Sequence, residues 1–156
     1  MVSIPGPSVI PDRVLAAMHR PMPNIYEGDL IEVSFSVQDD LRRIARTEQP
    51  VFISVSNGHG AWEMAISNTL SRGDKVLVLE SGTFAVGWGE MAEVSGVKVE
   101  ILSGSHPDPV NPEALEERLK ADISKEIAAV MVVQVDTATS VRNDIQAILK
   151  LSLIHI

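Results

Sequence analysis

A chain of 156 residues has the length of one domain and can bury a hydrophobic core. Its net charge of −8 includes no block of like charges, which argues against a nucleic-acid-binding surface. The absence of Cys excludes disulfides and thiolate metal sites and favours a reducing cytoplasm. The sequence also contains neither a signal-peptide pattern nor an apolar run of the roughly 20 residues that cross a bilayer. We therefore expect a cytoplasmic protein that binds neither nucleic acid nor membrane.

Residues 1–50 are predicted to form an N-terminal arm with helices. A short helix is expected over 11–18, and the prolines of Arg20-Pro21-Met22-Pro23 end it. A second helix is expected over 29–46. Because such an arm has little to pack against within a small sheet domain, we expect it to wrap across a partner.

Residues 51–150 alternate between strand and helix patterns. The strands are predicted at 51–55, 75–80, 97–102 and 127–135, and the helices at 61–70, 84–95, 111–122 and from 144 onward. The fourth strand is apolar at nearly every position, which is typical of a strand buried on both faces. Short turns between alternating elements predict an α/β fold with a mostly parallel sheet flanked by helices.

A glycine turn, Ser56-Asn57-Gly58-His59-Gly60, joins the first predicted strand to its helix. The first N–H groups of a helix have no internal partner, and the helix dipole adds partial positive charge there. Glycine lets an anion approach the main chain closely. The pattern therefore predicts a site for a phosphorylated ligand, although glycine is also common in ordinary turns between strands and helices.

Two kinds of ligand fit this turn. A single phosphate could bind beside His59. Alternatively, Gly58 and Gly60 could belong to a dinucleotide fingerprint, with Glu80 at the end of the next strand binding a ribose. The third small residue of that fingerprint is missing, because position 63 is Glu. This alternative predicts a small Rossmann-like nucleotide-binding module.

Several segments resemble, in order and spacing, the class V pyridoxal-phosphate-dependent aminotransferases, and most closely the serine–glyoxylate and alanine–glyoxylate group. The similar segments are Pro5-Gly6-Pro7-Ser8 with 11–15, the glycine turn within 56–65, 71–78, and 136–145. The resemblance implies the N-terminal part of the large domain of fold type I. It also implies the cofactor pyridoxal 5′-phosphate and a transaminase that moves an amino group from an amino acid, such as serine or alanine, to glyoxylate or another 2-oxo acid.

The same resemblance implies which residues bind the cofactor. The backbone of Gly58 and His59 would bind the phosphate with the Asn57 side chain close by, and Phe84 would stack on the pyridine ring. Phe84 could equally be a core aromatic. The full set of implied cofactor-binding residues is Asn57, Gly58, His59, Phe84, Thr137 and Thr139.

Thr137 and Thr139 follow the fourth predicted strand, at the sheet edge where ligands bind in open α/β folds. Family members often have Ser at the position of Ala138, so the flanking threonines are favoured for a hydroxyl contact. Alternatively, the two threonines could only stabilise the turn through hydrogen bonds from their hydroxyl groups to the backbone. Asp136 is not expected to be the acid that pairs with the pyridinium nitrogen.

No catalytic residue and no metal site is predicted. By the resemblance, the Schiff-base lysine, the pyridinium Asp and a carboxylate-binding Arg lie beyond residue 156, so we expect an inactive N-terminal fragment of a homodimeric enzyme. His19, His106 and His155 lack ligand spacing. Residues 151–156 resemble a translated sequencing adapter, and we expect the native sequence to end near Lys150.

Overall fold

The computed structural model describes residues 9–104 and 108–155 and contains two compact units, Met1–Ile53 and Ser54–Ile156. The Pro5-Gly6-Pro7-Ser8 segment and His106 lie outside the described residues. In the first unit, α1 is Asp12–Met18 and α2 is Asp29–Ala45. Acidic residues in the first turn of α2 and basic residues in its last turn complement the helix dipole. Both predicted helices are confirmed to within one residue at each end.

The second unit is a parallel α/β sheet with helices and one antiparallel ladder. Its elements are α3 (Gly58–Thr69), β1 (Lys75–Leu79), α4 (Thr83–Val94), β2 (Lys98–Leu102), α5 (Pro112–Ala121), β3 (Ile127–Met131), β4 (Val135–Asp136), β5 (Val141–Arg142) and α6 (Ile145–His155). The sheet has the order β2-β1-β3 with every pairing parallel, and β4 pairs antiparallel with β5. The predicted parallel α/β architecture is confirmed.

The core lies on the two faces of β1. Because side chains alternate along a strand, Leu77 and Leu79 face one cluster and Val76 and Val78 face the other. The first cluster includes Leu115, Leu119 and Ile148 from α5 and α6, and the second includes Ile66 and Ala92 from α3 and α4. Each fully buried aliphatic side chain contributes about 1.5–3 kcal/mol, so this sandwich of helices around β1 stabilises the unit.

The predicted strand at 51–55 is wrong. These residues form no strand, and the Phe52 and Val55 side chains are 80% and 104% exposed. A strand exists only when a neighbour satisfies its backbone N–H and C=O groups. Within the described part of the chain this segment has no strand neighbour, so its apolar composition alone does not produce one.

The predicted strand at 127–135 is only partly correct. β3 ends at Met131, and Val135 belongs to the antiparallel ladder. Asn143 holds the chain between them, because its Nδ2 donates to the Val133 carbonyl at 2.7 Å and its N–H donates to the Gln134 carbonyl at 2.8 Å. Ala128 is exposed, so β3 is not buried on both faces as predicted.

Side chains at the helix start cap three of the four helices that the structure describes in the second unit. Asn57 caps α3 and Asn111 caps α5, and the Asp144 carboxylate accepts from Ala147 N–H at 3.1 Å in α6. Consequently α3 begins at Gly58, three residues before the predicted start at 61. α6 continues to His155, and so includes residues beyond Lys150, where we expect the native sequence to end. Of the helices in the described segments, none is long and apolar enough to cross a membrane.

Candidate functional site

The N-terminus of α3 presents two free backbone donors. The Asn57 side chain accepts from Gly60 N–H at 3.1 Å, and Ala61 N–H donates to the Asn57 carbonyl. The N–H groups of Gly58 and His59 have no partner among residues 9–104 and 108–155. Together with the helix dipole, they form a site of partial positive charge that suits a phosphate.

The two glycines of this turn have different roles. A Cβ at Gly60 would lie 2.6 Å from Cβ of Ser56, so Gly60 is required by packing within the turn. A Cβ at Gly58 would meet nothing within 4 Å, and neither glycine has a positive φ. Gly58 therefore leaves the approach to the free N–H groups open, while backbone strain requires glycine at neither position.

An aromatic cluster joins α3 to α4 beside this turn. The Phe84 ring centroid lies 6.2 Å from that of His59 and 6.1 Å from that of Trp62. Trp62 also stacks on Trp88, with centroids 5.6 Å apart and planes 13° apart. Both tryptophans and Phe84 are half-buried in this cluster. An aromatic face thus lies next to the anion-binding helix end.

Asp136 is a functional candidate that the sequence analysis missed. Its side chain is fully buried, and its Oδ2 accepts from the N–H groups of Phe84 at 3.0 Å and Ala85 at 3.2 Å. Its Oδ1 accepts from Ala138 N–H at 3.0 Å. Asp136 therefore caps α4 from another element of the fold. Because Asp136 lies 52 residues from Phe84 in the sequence, no local sequence motif indicates this cap.

The two threonines differ in how their hydroxyl groups are used. The Thr139 hydroxyl donates to the Ser81 carbonyl at 2.8 Å, and its oxygen accepts from Val141 N–H at 3.3 Å. Thr137 is exposed, and its hydroxyl has no partner in the segments that the structure describes. Of the pair, Thr137 has the free hydroxyl group and Thr139 has a structural role.

A series of contacts in the second unit connects the start of α3 with Phe84, Asp136 and the 137–139 turn. The α3 N-terminus contacts Phe84 through His59, Phe84 contacts Asp136 through its N–H group, and Asp136 begins the 137–139 turn. All six predicted cofactor-binding residues lie on or beside these contacts. No metal-binding group of His, Asp or Glu occurs among the described residues.

The dinucleotide interpretation is not favoured by this arrangement. A dinucleotide fingerprint needs a strand directly before the glycine turn, and residues 51–55 form none. Glu80 lines a cleft beside α4 together with Thr83 and Thr139. Glu63 is exposed where the fingerprint requires a small residue packed against a strand.

Comparison with known proteins finds glyoxylate aminotransferases among the relatives of this chain. The serine–glyoxylate aminotransferase of Methylorubrum extorquens is 39% identical over 148 residues, which are 94% of this chain and 37% of the relative. The L-aspartate–glyoxylate aminotransferase of Paracoccus denitrificans is 34% identical over 94% of this chain and 37% of its own length. No protein-family model matches the chain.

A solved structure agrees with these relatives. The alanine–glyoxylate aminotransferase of Nostoc sp. superimposes with a TM-score of 0.78 at 27% identity, over 95% of this chain and 40% of that one. The chain spans about 37% of the length of the curated relatives it matches. The sequence relatives and the fold therefore agree, and over the residues that it shares with them the chain is similar to serine–glyoxylate, L-aspartate–glyoxylate and alanine–glyoxylate aminotransferases.

Proposed function

We propose that this chain supplies the phosphate-binding and ring-binding part of a pyridoxal 5′-phosphate-dependent aminotransferase. The enzyme would transfer an amino group from serine or alanine to glyoxylate or another 2-oxo acid. The observation that carries the proposal is the free α3 N-terminus beside the Phe84 ring, 6.2 Å from His59. A phosphate on a flat heteroaromatic ring needs both features together.

The residues present fit this cofactor. The open space over Gly58 admits a phosphate to the N–H groups of Gly58 and His59, where the α3 dipole stabilises negative charge. The Asn57 cap uses only the amide oxygen, so Nδ2 remains available as a further donor. The half-buried face of Phe84 can cover one side of the ring, excluding water from it.

When bound, the cofactor supplies an electrophilic carbonyl group and an electron-withdrawing ring, which make the α-hydrogen of an amino acid acidic. The residues of this chain bind and orient the cofactor for that chemistry. Gly58 and His59 fix its phosphate, Phe84 fixes the plane of its ring, and Thr137 supplies a hydroxyl hydrogen bond. Thr139 holds the turn that carries Thr137 through its bond to Ser81.

The proton-transferring lysine is not expected among the lysines of the second unit. Lys75 and Lys98 begin strands and Lys125 precedes one, so they lie at the amino ends of the strands. Ligands bind at the opposite, carboxyl ends. Lys75 and Lys120 also form ion pairs with Glu100 and Glu116. The chain by itself is therefore proposed to be inactive.

A cytoplasmic homodimer is proposed for the whole enzyme. The absence of Cys suits a reducing compartment. The helices of the first unit expose large apolar side chains, among them Met18 at 66%, Phe35 at 71% and Ile44 at 77%. Exposed apolar surface of this kind is typical of a protein interface.

The test is purification of the complete protein encoded by the gene. We expect it to carry pyridoxal 5′-phosphate, with visible absorbance, and to convert serine and glyoxylate to hydroxypyruvate and glycine. Alanine and aspartate serve as alternative amino donors in the same assay. A complete protein without the cofactor that transfers no amino group from any of the three would contradict the proposal.

A further inference from the structure

We propose that Asp136 is the positioning residue for the Phe84 ring, an inference that rests on the proposed function. The residue before α4 is Gly82, which has no side chain and so cannot cap the helix. Its first N–H groups would otherwise lack partners in a partly buried place. The Asp136 carboxylate supplies the missing cap to Phe84 and Ala85 at 3.0 and 3.2 Å.

The cap fixes the orientation of the Phe84 side chain. Anchoring the N–H group of Phe84 holds its backbone, and the backbone sets the direction of the bond from Cα to Cβ. The first turn of a helix frays most easily, so an uncapped α4 would leave the ring without a defined plane. A ring that has to lie flat on a ligand loses contact when that plane varies.

The same carboxylate also fixes the threonine turn. Its second oxygen, Oδ1, accepts from Ala138 N–H at 3.0 Å, next to Thr137. One buried carboxylate therefore positions both the ring-stacking residue and the turn with the free hydroxyl group. The carboxylate also occupies the N-terminus of α4, where the helix dipole is positive. The N-terminus of α3 therefore remains open to the phosphate.

Gly82 makes room for this arrangement. A Cβ at Gly82 would lie 2.4 Å from Cγ of Asp136 and 2.6 Å from both carboxylate oxygens. No real Cβ atom approaches a neighbour so closely, so Ala at position 82 has to displace the carboxylate while leaving it chemically intact. A Cβ at Gly87, within α4, would meet nothing within 4 Å, which makes Gly87→Ala the matched control.

The experiment measures the affinity of the complete apoprotein for pyridoxal 5′-phosphate and for inorganic phosphate by calorimetry. Asp136→Asn removes the negative charge at the start of α4, and its amide nitrogen replaces either the oxygen that accepts from Phe84 and Ala85 or the oxygen that accepts from Ala138. We expect this variant and Gly82→Ala to bind pyridoxal 5′-phosphate about tenfold more weakly. Inorganic phosphate should bind unchanged, because the α3 turn is intact, and Gly87→Ala should match the wild type for both ligands.

A double-mutant cycle with Phe84→Leu separates positioning from general stability. If Asp136 acts through the Phe84 ring, Asp136→Asn causes a clearly smaller loss of affinity once that ring is removed, and only the part carried by the Thr137 turn remains. Should Asp136→Asn fail to fold, Gly82→Ala with its Gly87→Ala control gives the same comparison. Additive losses, or equal weakening of both ligands, would overturn the positioning role alone. A wild-type protein that binds no pyridoxal 5′-phosphate would overturn the proposed function as well.

Discussion

Glu100 on β2 and Arg118 on α5 form a two-pronged ion pair across the sheet surface. Arg118 Nη2 donates to Glu100 Oε2 at 2.7 Å, and Arg118 Nε donates to Oε1. Lys75 Nζ lies 2.8 Å from the same carboxylate. These bonds connect α5 to two neighbouring strands, and each of the three side chains is less than one-third exposed.

This ion pair predicts a loss of stability in acid. The hydrogen bond from Arg118, reinforced by Lys75 and opposed by burial, lowers the pKa of Glu100 from 4.5 to about 2. A carboxylate with a depressed folded-state pKa contributes fully above its unfolded value, and the contribution is lost as the pH falls from about 4.5 towards 2. Glu100→Gln should therefore cost about 1–2 kcal/mol near neutral pH and progressively less below pH 4.5.

Urea denaturation across this pH range measures the difference between wild type and variant. Glu117→Gln on α5, next to Arg118, is the control, since Glu117 is exposed and forms no ion pair in the described part of the chain. A Glu100→Gln penalty that stays constant from pH 7 to pH 3 would show that the ion pair does not carry the effect.

Removal of the Asn143 side chain should strongly destabilise the second unit. Asn143 is only 3% exposed, and its Oδ1 accepts from Val110 N–H at 2.9 Å while its Nδ2 donates to the Val133 carbonyl at 2.7 Å. Asn143→Ala leaves a buried donor and a buried acceptor unpaired, at a cost of about 2–4 kcal/mol. Chemical denaturation checks this value. The exposed Asn68→Ala should change stability by less than about 1 kcal/mol, and equal effects of the two variants would refute the buried cross-link.

The two threonines should respond in opposite ways to loss of the hydroxyl group. Thr139→Val removes the bond to the Ser81 carbonyl and should cost about 1–2 kcal/mol of unfolding free energy. Thr137→Val should leave stability unchanged but weaken pyridoxal 5′-phosphate binding, because its free hydroxyl is the one proposed to contact the cofactor. Thermal unfolding of the apoprotein and a cofactor titration measure the two effects. A Thr137→Val variant that binds the cofactor as tightly as wild type would remove this residue from the site.

Local patterns predicted the elements whose signals lie within the element itself. β1 follows from a short apolar run after a turn, β2 from alternating polar and apolar residues after a turn, and α5 from the Asn111 cap with Pro112 at the first position. The strand at 51–55 was wrong because pairing depends on a neighbour elsewhere in the chain. The end of β3 at Met131 was missed because the apolar run continues beyond it without a turn residue. The strand ends there because Asn143, ten residues beyond Val133, hydrogen-bonds the Val133 carbonyl outside the sheet.

For the candidate site too, the sequence indicated residues with local signals but not roles that depend on distant partners. The glycine turn was proposed from its own pattern because it begins a helix, and Phe84 was proposed from the resemblance to the aminotransferases. The role of Asp136 could not be predicted, since its partners Phe84 and Ala85 lie 52 and 51 residues away. The distinction between Thr137 and Thr139 depends on the Ser81 carbonyl, 58 residues from Thr139. Nonlocal hydrogen bonds therefore decide the roles that residue type and spacing left open.

The most direct measurement compares two ligands on two variants of the complete apoprotein. Tryptophan fluorescence can follow binding, because Trp62 lies 4.9 Å from His59 and 6.1 Å from Phe84. Gly58→Val places a branched side chain over the free N–H groups and should weaken pyridoxal 5′-phosphate binding by about tenfold or more. Glu80→Ala should leave that affinity unchanged, and NAD should bind to none of the proteins. Binding of NAD that is lost in Glu80→Ala, together with no binding of pyridoxal 5′-phosphate by the wild type, would contradict the account.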